Sequence, residues 1–362
     1  MKGGCTTEFL DLLDLPKETA ESIARFSNLG VAQSTWNTYR TAKTMLLKCA
    51  KETGQSMELP LKNKQILIFI DYLARKRSLK GASISSYLSG LRQLHIIRNF
   101  DPPEFRTGLV KLVLRGISNQ DGITARDKGL TGRLPMTTNV MLLLQKLINK
   151  LEYSVTDKAM LWAAATLAFA GAFRINEILC KRESTFDPDF ELLAENVTLR
   201  TNIQGNVTIQ VTLKCPKESK SNIPTTVDVY QNNGPLCPVL ALQQWGGLKP
   251  GNEKLPVFRF QDGTPLTGVK LNRILDQTLG KYTDKTIGKF TTHSFRIGLA
   301  SELGRLGCTD EEIKEAGRWS SRAFERYIKL QRPKRGPAAQ HIKKLSGIQT
   351  TRYVQYWNTV FS

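Results

Sequence analysis

The feature that most constrains the fold is a fifteen-residue apolar run, Ala159 to Phe173, that ends on a charge, Arg174. A strand in a globular domain is rarely that long, and a membrane-spanning helix needs about twenty apolar residues. The run is therefore predicted to be a helix buried on all sides, inside a domain large enough to surround it. With 362 residues the chain has enough material for two domains with separate cores. An arginine that directly follows such a run is poorly placed for an ordinary solvated role.

Charge narrows the partner. Lys plus Arg number 52 against 32 Asp plus Glu, a formal net charge of +20, with an isoelectric point near 9.8. That excess is beyond what solubility requires and points to a polyanion, nucleic acid ahead of an anionic membrane. The six cysteines, Cys5, Cys49, Cys180, Cys215, Cys237 and Cys308, form no C-x-x-C and no zinc-like grouping with the three histidines. They read as reduced intracellular thiols. Met1 to Lys17 is mixed acidic and apolar, unlike a secretory signal.

Along the chain, residues 1–33 read as an N-terminal arm with a short helix. Four helical patterns occupy 34–117: from Ser34-Thr35 to Gly54, around Ile66 to Leu73, from Ser83 or Ser85 to Ile97, and from about Glu104 to Ile117. Between Lys62 and Arg115 stand eleven basic residues and three acids. This marks 34–117 as a helical DNA-binding domain, with Arg40, Lys43, Lys76, Arg77, Lys80 and Arg92 as candidate contacts. Residues 118–138 are polar, Gly-containing and aperiodic, and read as a linker that hinges two halves of a clamp. The second domain, 139–331, holds a helix over 139–151, the buried helix, a three-stranded antiparallel sheet within 196–230, and helices near Pro238–Trp245 and Gly268–Leu279. Thr309 and Glu312 form a capping box for a helix ending at Gly317, and Ser320-Ser321 can cap the short helix of Tyr327. Residues 332–362 form a C-terminal tail. The fold class is mainly α with a small antiparallel β-sheet.

Two residue pairs carry the chemistry. Arg174 and Glu177 are spaced i, i+3, and so are His293 and Arg296, a spacing that shares one helix face. Converging imidazole and guanidinium groups suit a phosphate: the guanidinium gives a bidentate fork, and the imidazole gives a donor that also moves a proton. Trp319 adds an indole N–H, a donor only, and Tyr327 a phenol inside a basic segment. Each residue alone has an ordinary explanation, namely a helix ion pair or aromatic core packing. Together they fit attack of a tyrosine on a phosphodiester. His95 and His341 are assigned structural or surface roles. The sequence contains no phosphate-binding glycine loop, no H-E-x-x-H and no acidic metal cluster, so no cofactor is expected.

In that order, Arg174-x-x-Glu177, His293-x-x-Arg296, Trp319 and Tyr327 resemble the tyrosine recombinase (phage integrase) family. HSFRIG followed by GRWSS and RYI is most similar to the branch carried by eukaryotic DIRS-like and Ngaro-like retrotransposons and Crypton elements. The resemblance spans roughly Leu161 to Lys329. It implies a helical core-binding (SAM-like) domain followed by an α+β catalytic domain. It further implies Tyr327 as nucleophile, forming a 3′-phosphotyrosyl bond to double-stranded DNA, with Arg174 and Arg296 on the non-bridging oxygens. His293 acts as acid or base, Glu177 orients Arg174 or a histidine, and Trp319 stands where family members carry His or Trp. A β-hairpin lysine protonates the leaving 5′-oxygen: Lys217 by analogy with LK-x-SK-T, with Lys214 and Lys220 still open. The Trp319 to Tyr327 gap is one residue shorter than in bacterial members.

The family also implies a monomer that assembles to a dimer or tetramer on DNA, with the tail docking on a neighbouring protomer. A nuclear location and no membrane association are expected. Two alternatives share these residues: type IB topoisomerase-like strand relaxation, and a domesticated, catalytically silent DNA-binding protein.

Overall fold

The computed structural model describes residues 16–31, 33–103, 105, 108–127, 132–214, 224–246, 254–283 and 288–328. Residues 1–15 of the N-terminal arm, Lys217, Lys220 and the tail from 332 lie outside the described residues. The chain divides into two compact units, Met1–Lys128 and Gly129–Ser362. It is mainly α-helical with one small antiparallel sheet, as the sequence indicates.

The first unit comprises α1 (Lys17–Gly30), α2 (Gln33–Thr53), α3 (Asn63–Asp71), α4 (Gly81–Ile97) and α5 (Gly108–Asp127). A π-helical turn, Tyr72–Lys76, extends α3. Apolar residues at helical spacing on α3 and α4, such as Ile66, Phe69, Ile84, Leu88 and Leu91, bury completely or nearly so against Trp36 and Leu46 of α2. The helices α2 and α4 approach closely because Gly90 has no side chain: a Cβ there would lie 3.0 Å from that of Ala42.

At the centre of this unit His95 is fully buried. Its Nε2 accepts from the Leu61 N–H at 2.9 Å, and its Nδ1 meets Leu91 O at 2.7 Å, which assigns the proton to Nδ1.

The fourth helix expected within 34–117 runs further than sequence alone places it. It continues past Ile117 to Asp127, so the first half of the expected 118–138 linker is helical. Gly116 and Gly122 weaken a helix without ending it. Leu114 and Ile117 pack on the first core, and Asp121 Oδ2 accepts from the Gly81 N–H at 2.7 Å. The other end of the expected linker belongs to the second unit. Lys289 N–H donates to Gly132 O, Leu134 N–H to Lys289 O at 3.0 Å, and Met136 N–H to Ser294 O at 2.9 Å.

The second unit is built on α7 (Val155–Ala170), the apolar run of the sequence, with Met160 to Phe169 buried throughout. Around it stand α6 (Thr138–Asn149), α8 (Ile175–Ile178), α9 (Pro238–Trp245), α10 (Gly268–Leu279) and α11 (Ser294–Leu306). The sheet has the order β1 (Val197–Thr201), β2 (Val207–Leu213), β3 (Thr225–Tyr230), all antiparallel, with Val211 opposite both Val197 and Val227. Alternate residues Ile209, Val211 and Leu213 face the core. A satellite cluster of Ala300, Ile313, Phe324 and Ile328 joins α11 to α12 (Asp310–Ala316) and α13 (Glu325–Ile328). Thr309 and Glu312 form the expected capping box on α12. Ser321 occupies the cap position of the 3₁₀ turn Arg322–Phe324, which precedes the helix of Tyr327, and makes no side-chain cap bond to that turn. The burial of Phe324 anchors that turn instead.

Burial holds the His95 imidazole pKa below its ordinary value, against the opposing pull of Leu91 O. A folded pKa below the unfolded one, about 6.5, leaves stability complete above that pH and erodes it as pH falls toward the folded value. The melting temperature should therefore drop more between pH 7 and 5.5 in wild type than in His95→Gln, as measured by calorimetry on the full chain. Equal drops would remove His95 as the acid-sensitive group.

Candidate active site

The arginine that follows α7 is aimed by a sharp turn. Ala172, fully buried, adopts a left-handed φ of +44°. A Cβ at Gly171 would lie 2.1 Å from the Phe173 ring, so glycine is needed for the ring to fold back there. Arg174 then occupies the N-cap of α8, with Glu177 at its third position. Glu177 Oε2 accepts from the Arg174 backbone N–H, and Oε1 accepts from Arg174 Nη1, both at 2.9 Å. Arg318 Nη2 donates to the same Oε2 at 2.9 Å. The carboxylate is 9% exposed and held between two guanidiniums. Glu177 thus holds both the backbone and the guanidinium of Arg174.

The second pair lies at the start of α11. His293 is the N-cap, after a turn fixed by Thr291 N–H to Ser294 Oγ at 2.9 Å and Thr292 N–H to Asn272 Oδ1 at 2.8 Å. Its half-buried imidazole is held below its ordinary pKa by burial first, then by the positive charges of Arg133, Arg296 and Arg174. At pH 7 the ring is neutral. Arg296, one turn on, is 1% exposed. Its Nη1 donates to Ala172 O at 2.6 Å, and its guanidinium lies 4.5 Å from the centre of the Trp319 ring.

Trp319 reaches that position because Gly317 leaves room: a Cβ on Gly317 would lie 1.6 Å from the indole. On its other side Trp319 meets Phe324, ring centres 5.6 Å apart. Phe324 and Ile328 bury into the satellite cluster. A Cβ on Gly304 would lie 3.0 Å from Ile328 Cγ2, which measures how closely α13 packs on α11. Tyr327 belongs to α13; its side chain lies outside the described residues.

Arg174, Glu177, His293, Arg296 and Trp319 thus converge from three separate stretches of sequence. Lys217 lies outside the described residues, and Lys214 Nζ donates to Pro188 O at 2.6 Å. In the first unit Arg40, Lys76, Lys80 and Arg92 are exposed and Lys43 is half-buried. Arg77 differs from these: its guanidinium donates to Tyr72 Oη at 2.8 Å and to Glu52 at 2.6 Å, closing the π-helical turn. Arg92 lines a groove of about 700 Å³ between α2 and α4 with Thr35, Thr38, Tyr39, Ser86 and Gln93.

Sequence inspection did not single out Arg133 or Arg318. Arg318 stands inside the GRW that also supplies Trp319, so its position was the available signal. Arg133 reaches the site through a parallel bridge to Lys289, a pairing that has no local signature. Among the described residues no cluster of His, Cys, Asp and Glu could hold a metal ion, and no helix is long and apolar enough to cross a membrane.

No family model matches the sequence, and no curated protein matches it. Solved structures do. The XerH site-specific recombinase bound to palindromic difH in a post-cleavage complex aligns with a TM-score of 0.57 at 15% identity, over 94% of this chain and 87% of that one. The Tn1549 transposon integrase in complex with transposon right-end DNA aligns with a TM-score of 0.53 at 16% identity, over 91% and 98%. A lambda integrase dimer bound to a COC′ core site aligns with a TM-score of 0.50 at 14% identity, over 89% and 76%. The chain therefore has the tyrosine recombinase fold.

The seat of Trp319 should tolerate nothing larger than glycine at 317. Gly317→Ala should displace the indole and cost about 1–3 kcal/mol of stability, the usual range for overpacking. Denaturant unfolding followed by tryptophan fluorescence checks this; wild-type stability in the variant would mean that the indole is not confined there.

Proposed function

We propose that the chain is a site-specific DNA recombinase of a mobile element, cutting and rejoining strands through Tyr327. The observation that carries this is the convergence of Arg174, His293, Arg296 and Trp319, with the helix of Tyr327 packed against α11. In this mechanism the Tyr327 phenolate attacks phosphorus, forming the phosphotyrosyl bond at the 3′ end as the bond to the 5′-oxygen breaks. Arg174 and Arg296 bind the non-bridging oxygens and stabilise the charge that grows on them. A neutral His293 can take a proton that a cationic one could not, and the cluster of guanidiniums favours the phenolate. Lys217 protonates the departing 5′-oxygen. The phosphotyrosyl bond keeps the energy of the broken one, so religation by a 5′-hydroxyl needs no cofactor.

By the same reading, residues 34–117 form the core-binding domain and 139–331 the catalytic domain, and double-stranded DNA is the partner. Protomers assemble as a dimer or tetramer on DNA in the nucleus. The tail docks on a neighbour. The likeness of HSFRIG, GRWSS and RYI to DIRS-, Ngaro- and Crypton-type recombinases supports a eukaryotic element.

The test uses the full chain and a pool of nicked duplexes with a randomised core, which traps cleaved strands as covalent adducts. Wild type should give an adduct on denaturing gels, and Tyr327→Phe should bind the selected duplex without giving one. An undiminished adduct in Tyr327→Phe would reject the nucleophile.

DNA affinity should fall steeply with salt, because each neutralised phosphate releases counterion. Arg92→Ala should reduce the slope of log affinity against log salt by about one if this arginine meets a phosphate. An unchanged slope, measured by fluorescence anisotropy, would exclude Arg92 from the backbone contacts.

A further inference from the structure

We propose that Arg318 is a positioning residue, a latch that ties the segment bearing Tyr327 to the Arg174 end of the site through Glu177. The proposal rests on the recombinase reading for the identity of the reaction and on the geometry for the latch itself.

Backbone conformation draws attention to this residue. Arg318 has a φ of +51°, the left-handed region in which glycine is at ease and other residues are strained. A glycine stands next to it, but Gly317 has an ordinary φ of −92° and is glycine for lack of space, because the Trp319 ring lies where its side chain would be. The chain thus keeps an arginine where the backbone favours glycine. The side chain supplies the reason. Its guanidinium carbon lies 4.6 Å from the centre of the Phe173 ring, and Nη2 donates to Glu177 Oε2 at 2.9 Å. With 23% of the Arg318 side chain and 9% of the Glu177 side chain exposed, this pair is well shielded from water, unlike an exposed ion pair.

The contact joins two parts of the site. Glu177 also binds Arg174 by two hydrogen bonds, so a single carboxylate sets both guanidiniums. The next residue, Trp319, makes a second cross-link in the same direction through Arg296, whose Nη1 is anchored on Ala172 O. Residues 318 and 319 are therefore stapled to 172–177 by two arginine–aromatic contacts and an ion pair. Downstream, the Trp319–Phe324 contact leads to α13, which carries Tyr327. Releasing Arg318 removes one staple and leaves the Arg296 core in place.

The test compares Arg318→Gly, which relaxes the backbone, with Arg318→Lys, which keeps a charge for Glu177. Without DNA, amide hydrogen exchange in 319–328 should be about tenfold or more faster in Arg318→Gly, with α7 amides unchanged, and Arg318→Lys should restore most of the protection. With the duplex selected by wild type, Arg318→Gly should bind within about twofold of wild type yet form adduct about a hundredfold more slowly, the scale of a misplaced reacting group. Arg318→Lys should recover part of that rate. Unchanged exchange in 319–328 overturns the latch whatever the DNA assay gives. If wild type forms no adduct, the reaction assigned to this fold fails, and the exchange measurement still decides the latch. Should Arg318→Gly loosen the whole unit, Arg318→Gln, which keeps the length and loses the charge, takes its place under the same criteria.

Discussion

Arg296 carries a full positive charge with 1% of its surface exposed. Removing such a group from water costs several kcal/mol unless its surroundings replace the solvent. Here the replacement includes the Ala172 carbonyl at 2.6 Å and the face of Trp319 at 4.5 Å. Neither group would be there by default. The carbonyl is presented by a left-handed residue at the end of α7, and the indole lies in a space that exists only because residue 317 lacks a side chain. The burial of this arginine thus governs how α7 ends, how α12 ends, and where the chain goes from each. The α7 turn that serves Arg296 also delivers Arg174 to the N-cap of α8, so the two arginines of the site are placed by one device.

The same arrangement gathers like charges. Arg133, Arg174 and Arg296 all act on His293, and their combined field, added to burial, keeps that imidazole neutral. Among the groups described around it, Glu177 supplies a single carboxylate that is already shared between Arg174 and Arg318. Cations gathered at one point around a histidine suit an anion, which is the phosphodiester of the recombinase reading proposed above. The donors are fixed before any ligand arrives, which is the condition under which electrostatic stabilisation of a transition state is largest, because nothing has to reorganise as charge develops.

Much of this was legible in the sequence where the signal is local. The apolar run has one physical solution, a helix without a wet face, and the structure adopts it. Pro238 at the first turn of α9 and Thr309 with Glu312 on α12 are end signals that act within four residues, and both helices start there. The i, i+3 pairs were legible for the same reason. What escaped is long-range or depends on competing interactions. Aperiodic polar sequence after Ile117 resembles a linker, yet Asp121 caps a different helix and keeps α5 going. The ion pair of Arg77 with Glu52, 25 residues away in sequence, likewise has no local signature. Arg133 enters the site by pairing with Lys289, and no spacing within either segment announces that.

The elements that carry the site differ in how firmly they are held, and the difference bears on control. Arg174 follows α7, which is buried throughout in the main core, and Arg296 belongs to α11, which contributes Phe295 to the main core and Ala300 to the satellite cluster. Tyr327 is carried by α13, described over Glu325–Ile328. Among the described residues, Ile328 of α13 and Phe324 of the preceding turn pack in a satellite cluster with Ala300 and Ile313, against Leu303, Cys308 and Trp319. Local stability follows buried apolar contact, and the described contacts of α13 lie in the satellite cluster while α7 lies in the main core. Under the recombinase reading proposed above, strand cleavage depends on the placement of α13 as well as on the affinity for DNA.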